Sequence, residues 1–443
     1  MQSIKNPYQL QLPIYETPAQ STSQAKQDSY ETLHRLLAND KSFAGGKTDS
    51  ATHRLHAFPA KFPPQLPHLF INELSLPGEI VLDPMCGSGT TLVEAILAGR
   101  NALGLELDPL ATMITRAKTM PLDSELCTQL GREILKRART HLVSTNQLEQ
   151  LFGKDALDFF TYWFEGHTIA ELAALVIEIQ AIHQPELKLF FQVILSSSII
   201  TKNGTLTRAR DLAHSRPHRD QNKIVKASAF DVFEKRLTNA IDMMASLRAV
   251  KTVAIVARAD VRSLALADNS IDLIITSPPY AANAIDYMRA NKFSLLWLGY
   301  PMHELKETRR RYIGAEQRAP LQVASESGNR VLQHLKQRDE NRAAVVAHYY
   351  RDMESALREM WRVLKPSRAA ILVVGSSNIR SIEIMAPSVL AEIAQSVGFQ
   401  LVSISIRRIE RNARMMPVSR TSHKNGIEAR MHEEGVIGLI KPN

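Results

Sequence analysis

Apolar positions along the chain follow two patterns. Toward both ends they gather in short continuous runs that stop at glycine, proline or an acidic residue; through the middle they recur at helical spacing. The first pattern predicts buried strands and the second amphipathic helices. The run Ile271-Asp272-Leu273-Ile274-Ile275 is the clearest of the first kind, and it ends at Thr276-Ser277-Pro278-Pro279-Tyr280. Proline cannot donate to a ladder, so this strand stops abruptly in a rigid, polar, aromatic-tipped turn. Open α/β sheets place their chemistry at such carboxyl ends of strands.

A second organised stretch lies upstream. Residues 79–83 read as a strand, 84–89 as a glycine-bearing turn, 90–98 as a helix, and 101–106 as a strand ending in Glu106. This is a βαβ unit. Gly87 and Gly89 let backbone approach a ligand closely, and Glu106 is placed to accept from ribose hydroxyls. Before it, Pro59, Pro63 and Pro64 set an extended wall ahead of a helix over 66–74. The first fifty residues are a polar arm with one helix over 27–37. Gly45-Gly46-Lys47-Thr48 imitates a phosphate loop, but Lys41 stands where that motif needs glycine, which excludes it.

The middle predicts helices over 126–142, 170–181 and 230–247. Its apolar stretches 169–179 and 187–200 are too short, or broken by Glu171, Glu178 and Lys188, to span a bilayer. Between them and the third helix runs a basic segment with Lys202, Arg208, Arg210, Arg216, Arg219, Lys223 and Lys226. It reads as a solvated loop or as a phosphate-contacting one. The α/β pattern resumes with a strand over 252–257 leading to Asp260, then the strand before Thr276. A helix over 291–298 carries Trp297, and Arg309, Arg310 and Arg311 form another basic cluster. A helix over 349–364, a strand over 369–374, a helix over 386–397 and strands over 400–406 and 435–440 complete an α/β chain.

Composition narrows the chemistry. With 44% hydrophobic and 22% charged residues, the 443-residue chain can bury a sizeable core. A net charge of +9 favours polyanionic partners through phosphate contacts. Only Cys86 and Cys127 are present, so no disulfide framework or cysteine metal cluster is expected; His214 and His218 lack a third ligand, and no metal is expected there either. The first residues lack the apolar core of a signal peptide, which points to the cytoplasm. For the βαβ turn, a dinucleotide fingerprint would need glycine where Leu92 stands. Asp83, four residues before Gly87, would repel a pyrophosphate. A cationic ligand suits it better, such as the sulfonium and ammonium of S-adenosylmethionine.

At these residues the chain resembles the S-adenosylmethionine-dependent amino-methyltransferases of DNA. Asp83-Pro84-Met85-Cys86-Gly87-Ser88-Gly89-Thr90-Thr91 resembles their glycine-rich motif, and Thr276-Ser277-Pro278-Pro279-Tyr280 their catalytic motif. His56 to Pro64, Glu106 and Asp260 resemble the flanking cofactor motifs. The resemblance implies a Rossmann-like, mostly parallel sheet with a C-terminal antiparallel strand pair and a large helical insertion. The resemblance covers most of 53–118 and 252–443 and leaves out the N-terminal arm and the helical block, so the chain divides into a polar arm (1–50), a cofactor part (51–119), a helical insertion that is a candidate for DNA recognition or dimerisation (120–250), and a catalytic part (251–443) with a candidate DNA-contacting insertion at 300–345. Phe62 and Pro63 would wall the cofactor pocket, Asp83 and Pro84 would face the methionine amine, and Gly87, Gly89 and Thr90 would line the approach. Glu106 would hold the ribose and Asp260 the adenine amine. Ser277 Oγ and the Pro278 carbonyl would accept from the target amine, Pro279 would stiffen the turn, and Tyr280 would stack on a flipped base.

Serine before Pro-Pro-Tyr is commoner in members acting on cytosine N4, while adenine N6 is the alternative. An RNA amino-methyltransferase or a non-catalytic nucleic-acid-binding regulator would share parts of the pattern. The implied partners are double-stranded DNA and, for a restriction-modification pair, a companion endonuclease, with the chain a monomer or homodimer. Arg208, Arg210, Arg216, Arg219, Arg309, Arg310 and Arg311 are the DNA-contact candidates.

Overall fold

The computed structural model describes residues 24–443 except 40, 44–45, 47, 60, 142, 202, 211, 213–217, 282–285 and 410–432. The strands are β1 (Ile80–Asp83), β2 (Asn101–Glu106), β3 (Ala254–Arg258), β4 (Ile271–Thr276), β5 (Leu364–Gly375), β6 (Asn378–Ile379), β7 (Ile382–Glu383), β8 (Gln400–Arg408) and β9 (Glu433–Ile440). Seven of them form one sheet in the order β3-β2-β1-β4-β5-β9-β8, and β6 and β7 pair separately. The first five run parallel, and β9 is antiparallel to both β5 and β8. This is the expected mostly parallel sheet with its terminal antiparallel pair.

Both faces of the sheet are covered, as parallel strands require. The pleat sends Val81, Leu273, Ile275, Ile371 and Val373 to one face and Leu82, Ile274, Ala370 and Leu372 to the other. On the first face lie α1 (Gln24–Ala38), α2 (Gln65–Leu74), α3 (Thr90–Leu97) and α4 (Pro109–Thr119). The helical block follows: α5 (Ser124–Ala138), α6 (Thr145–Phe152), α7 (Lys154–Trp163), α8 (Gly166–Gln180), α9 (Pro185–Ile199) and α10 (Ala229–Met244). After β4 come α11 (Met288–Leu295), α12 (Met302–Arg311), α13 (Glu326–Arg338), α14 (Glu340–Val363) and α15 (Ala386–Val397); α13, α14 and α15 cover the second face.

The helical block is joined to the segment after β4 through aromatic packing. Phe160 of α7 stacks on Trp297 with ring centres 3.7 Å apart and planes 8° apart. Phe159 and Trp163 meet Phe293 of α11 edge to face. The apolar stretch around 187–200 is α9, which buries residues all round because it packs on α4, α8, α10 and α11. Among the described residues, no helix is long and apolar enough to cross a membrane. The helix expected over 349–364 starts earlier, at Glu340, because Asp339 caps it by accepting from the Arg342 amide at 3.0 Å.

Candidate active site

Because β1 and β4 are parallel neighbours, Asp83 and the Ser277 turn leave the sheet at the same edge. The turn after β1 is tied to β2 by hydrogen bonds from the Cys86 amide to the Leu105 carbonyl (3.0 Å) and from the Gly87 amide to Glu106 Oε2 (2.8 Å). From α4, Thr115 Oγ1 donates to the Gly87 carbonyl and Lys118 Nζ to the Ser88 carbonyl, both at 2.9 Å. Gly87 and Gly89 take φ values of +49° and +80°, and a Cβ on Gly89 would stand 2.6 Å from Thr115 Cγ2. Gly89→Ala is therefore expected to cost at least about 1–2 kcal/mol in unfolding free energy, read from the urea midpoint. The close strand–helix contact of a dinucleotide fold is made here by another residue. A Cβ on Gly104 of β2 would lie 2.5 Å from Leu92 Cδ2, so the glycine that seats α3 sits on the strand.

The resulting pocket gathers Phe62, Asp83, Pro84, Gly87, Thr90, Glu106, Asp260, Ser277, Pro279 and Tyr280 from the sequence-based set. Pro63 lines a neighbouring cavity instead, and Gly89 supports the turn from behind as the residue preceding α3. The pocket also contains Phe58, Lys61 and Met85, which lie within the motifs but were given no role there, and Asp108, Tyr287 and Tyr312, which lie outside them. Asp108 had a readable signal as the residue before Pro109 at a helix start: its Oδ1 caps α4 through the Ala111 amide at 2.9 Å. Its Oδ2 accepts from Asn291 Nδ2 (2.9 Å) and from the Tyr312 hydroxyl. Phe58 and Tyr287 stack with ring centres 5.2 Å apart.

The carboxylates of this pocket differ in what compensates them. Asp260 is chelated by Arg262, whose Nε and Nη2 donate at 2.9 and 2.7 Å, and that pairing holds its carboxyl below the ordinary range despite burial. Asp83 has no cationic partner among the described residues. Burial pushes its carboxyl up to about 6, against the hydroxyls of Thr276 and Thr91 and the Met85 amide. Glu106 is pushed up to about 7, chiefly by burial, while the amides of Asp108, Gly87 and Leu107 bind its two oxygens. Three amides leave on the order of one of a carboxylate's roughly four acceptor positions for a ligand. Burial raises the Cys86 thiol well above its usual range, so it stays neutral and non-nucleophilic.

On the β4 side, Ser277 Oγ donates its proton to the Val373 carbonyl at 2.9 Å. With its hydrogen committed to β5, the oxygen presents its lone pairs and acts as an acceptor. The Tyr280 hydroxyl donates to Glu434 Oε1 at 2.9 Å, and burial pushes the phenol well up, so it remains protonated.

The basic segment of the helical block is stapled by its own contacts. Arg208 pairs with Glu165 through Nε (2.9 Å) and Nη2 (2.6 Å), Arg210 with Asp220 (3.3 Å), and the Arg219 guanidinium lies 4.4 Å over the Tyr162 ring. Arg216 lies outside the described residues. Near the catalytic turn, Arg289 and Arg309 share the Asp286 carboxylate (2.8 and 2.7 Å). Arg310 is exposed, and Arg311 stands 3.9 Å from Asp260.

Residues 2–115 match the family model for DNA methylases. Over 428 residues the chain is 25% identical to the type II methyltransferase M.MvaI of Kocuria varians, covering 90% of this chain and 93% of that protein. The chain is similar to DNA methylases over nearly its whole length. A second methylase, the type II methyltransferase M.BsoBI of Geobacillus stearothermophilus, is 23% identical over 434 residues, covering 84% of this chain and 83% of its own. A solved putative DNA modification methylase from Thermus thermophilus, in complex with S-adenosyl-L-methionine, covers 42% of this chain and 54% of its own, with 14% identity and a TM-score of 0.21. The pocket's own residues fit S-adenosylmethionine as a cofactor. The uncompensated, desolvated Asp83 asks for a cationic ligand, and four carboxylate side chains line a site with one lysine.

Proposed function

We propose that the protein transfers the methyl group of S-adenosylmethionine to the exocyclic N4 amine of cytosine, flipped out of duplex DNA, at a specific site. The observation that carries this reading is the polarity of Ser277. An exocyclic amine is a poor nucleophile because its lone pair is delocalised into the ring. An acceptor at Ser277 Oγ, together with the Pro278 carbonyl, draws hydrogen bonds from the amino protons and favours a more tetrahedral nitrogen with its lone pair free. The Val373 carbonyl holds the serine in that role before the base arrives, which is preorganisation of the kind that makes polar groups effective in transition states. Two prolines keep the turn from relaxing.

S-adenosylmethionine supplies an electrophilic methyl group on a sulfonium. Asp83 would hold the methionine ammonium, Glu106 would use its remaining acceptor position for ribose, and Phe62 would close one wall. Asp260, bound by Arg262, would meet the adenine amine through an oxygen that the guanidinium already orients. Tyr280 and the Phe58–Tyr287 stack give the pocket the flat apolar surfaces that an extruded base needs. No covalent intermediate is required, in line with a neutral Cys86.

Serine at position 277 favours cytosine N4 over adenine N6, and the relatives' description as type II methyltransferases supports a DNA substrate and a companion endonuclease. Nucleoside mass spectrometry of DNA from cells expressing the protein tests the reading. N4-methylcytosine is expected; N6-methyladenine alone would reassign the target amine, and transfer to RNA in preference to duplex DNA would reassign the substrate.

A further inference from the structure

Beside the cofactor pocket lies a second cavity whose electrostatic character is the opposite. The cofactor pocket is lined by Asp83, Glu106, Asp108 and Asp260, with Lys61 its one lysine. The second cavity has no carboxylate among its described lining residues; it presents Lys61, Arg407 and His53 with the hydroxyls of Ser42, Thr48 and Thr90. Lys61 lines both and so stands on the partition between them. Its ammonium makes one hydrogen bond, to the His53 carbonyl at 3.2 Å, and among the described residues no carboxylate pairs with it.

Arg407 ties this cavity to the catalytic turn. Its side chain is 8% exposed; Nη1 pairs with Glu434, and Nε donates to the Lys41 carbonyl at 3.1 Å. The other Glu434 oxygen accepts from Tyr280, so the arginine and the tyrosine are fixed by one carboxylate. Nη2 of Arg407 has no partner among the described residues. His53 is held by Glu94 at 2.7 Å, and burial lowers its pKa, so the cavity's charge comes from the lysine and the arginine.

We propose that this cavity is an anion site that receives a backbone phosphate of the DNA strand carrying the flipped nucleotide, with Lys61 as its principal contact. The proposal rests on the reading of the protein as a DNA methyltransferase. A base that enters beside Tyr280 brings its own phosphates with it, and they need cations just outside the base slot. An ammonium and a guanidinium Nη2 whose donors are unpaired among the described residues form such a cradle with three hydroxyls, and the absence of carboxylates among the described lining residues keeps it from repelling the strand. The adjacent pocket, rich in carboxylates, would reject a phosphate and take the cationic cofactor. The two cavities thereby sort the two substrates by charge.

Duplex oligonucleotides carrying the target site, each with a single neutral methylphosphonate near the target base, test this in the full-length protein. In the wild type, one such substitution is expected to weaken binding about tenfold, the scale of one charged hydrogen bond. In Lys61→Met, binding to the unmodified duplex falls by a similar factor, its salt slope drops by about one, and that methylphosphonate has no further effect. Lys61→Arg restores the response. Thr48→Glu, at an exposed position on the cavity, lowers DNA affinity without changing S-adenosylmethionine affinity. Equal responses of wild type and Lys61→Met to every neutral phosphate would overturn the proposal. So would loss of S-adenosylmethionine binding in Lys61→Met with DNA binding intact, which would assign the lysine to the cofactor's carboxylate. These are binding measurements, so they fail or succeed separately from the identity of the methylated base.

Discussion

Ser277→Ala is expected to lower kcat by about 10²–10³-fold, the range for deleting one preorganised hydrogen-bonding group at a reacting centre, while S-adenosylmethionine binding stays within about twofold of wild type. The asymmetry follows from position. Ser277 Oγ is anchored on β5 through the Val373 carbonyl and in the proposed mechanism serves the amine that reacts, whereas the proposed cofactor contacts lie in the β1 and β2 turns. Single-turnover transfer at saturating cofactor, compared with equilibrium cofactor binding, separates the two. Parallel loss of both would mean that Ser277 supports the cofactor site, and undiminished transfer would remove it from the mechanism.

The second large effect is expected at Asp83. Removing one partner of a buried charged pair costs roughly 3–5 kcal/mol, or about 10²–10⁴-fold in Kd, so Asp83→Ala should lose most of its affinity for S-adenosylmethionine. The pH dependence carries a definite sign. Burial raises this carboxyl to about 6, so it is anionic above that pH and neutral below it. Affinity for a cationic ligand therefore falls as pH drops through about 6, and Asp83→Asn should remove that component, leaving the contribution of Glu106, raised to about 7. For folding the sign is reversed. The folded protein holds the proton more tightly than an ordinary aspartic acid at 3.8, so the ionised group costs stability above about 6. That cost is relieved as pH falls from 6 toward 3.8. Isothermal titration of the cofactor across pH 5–8 reads the first, and urea unfolding from about pH 3.8 to pH 8 reads the second.

The elements around the site were legible because their ends carry strong local signals. Strands stop at Asp83, Glu106 and the prolines after Ser277, and a parallel sheet brings those three ends together. What the sequence left hidden was held by tertiary contact. Tyr287 and Tyr312 carry no motif; in the fold Tyr287 stacks on Phe58 and Tyr312 donates to Asp108. Asp260 stood in a readable position just after β3, but the sequence does not show that Arg262, which chelates it, also pairs with Asp352 of α14 at 2.7 Å. The basic run at 201–226 reads as free charge in the sequence; in the fold, Glu165, Asp220 and the Tyr162 ring occupy Arg208, Arg210 and Arg219. A charge count registers cations and says nothing of their partners.

The central claim is that Ser277 presents its oxygen to a cytosine amine. It is tested most directly by mapping modified bases at single-base resolution in DNA from cells expressing the wild type or Ser277→Ala. N4-methylcytosine is expected at one recurring sequence in the wild type and is expected to disappear in the variant. N6-methyladenine in place of N4-methylcytosine, or an unchanged methylation map in Ser277→Ala, would contradict it.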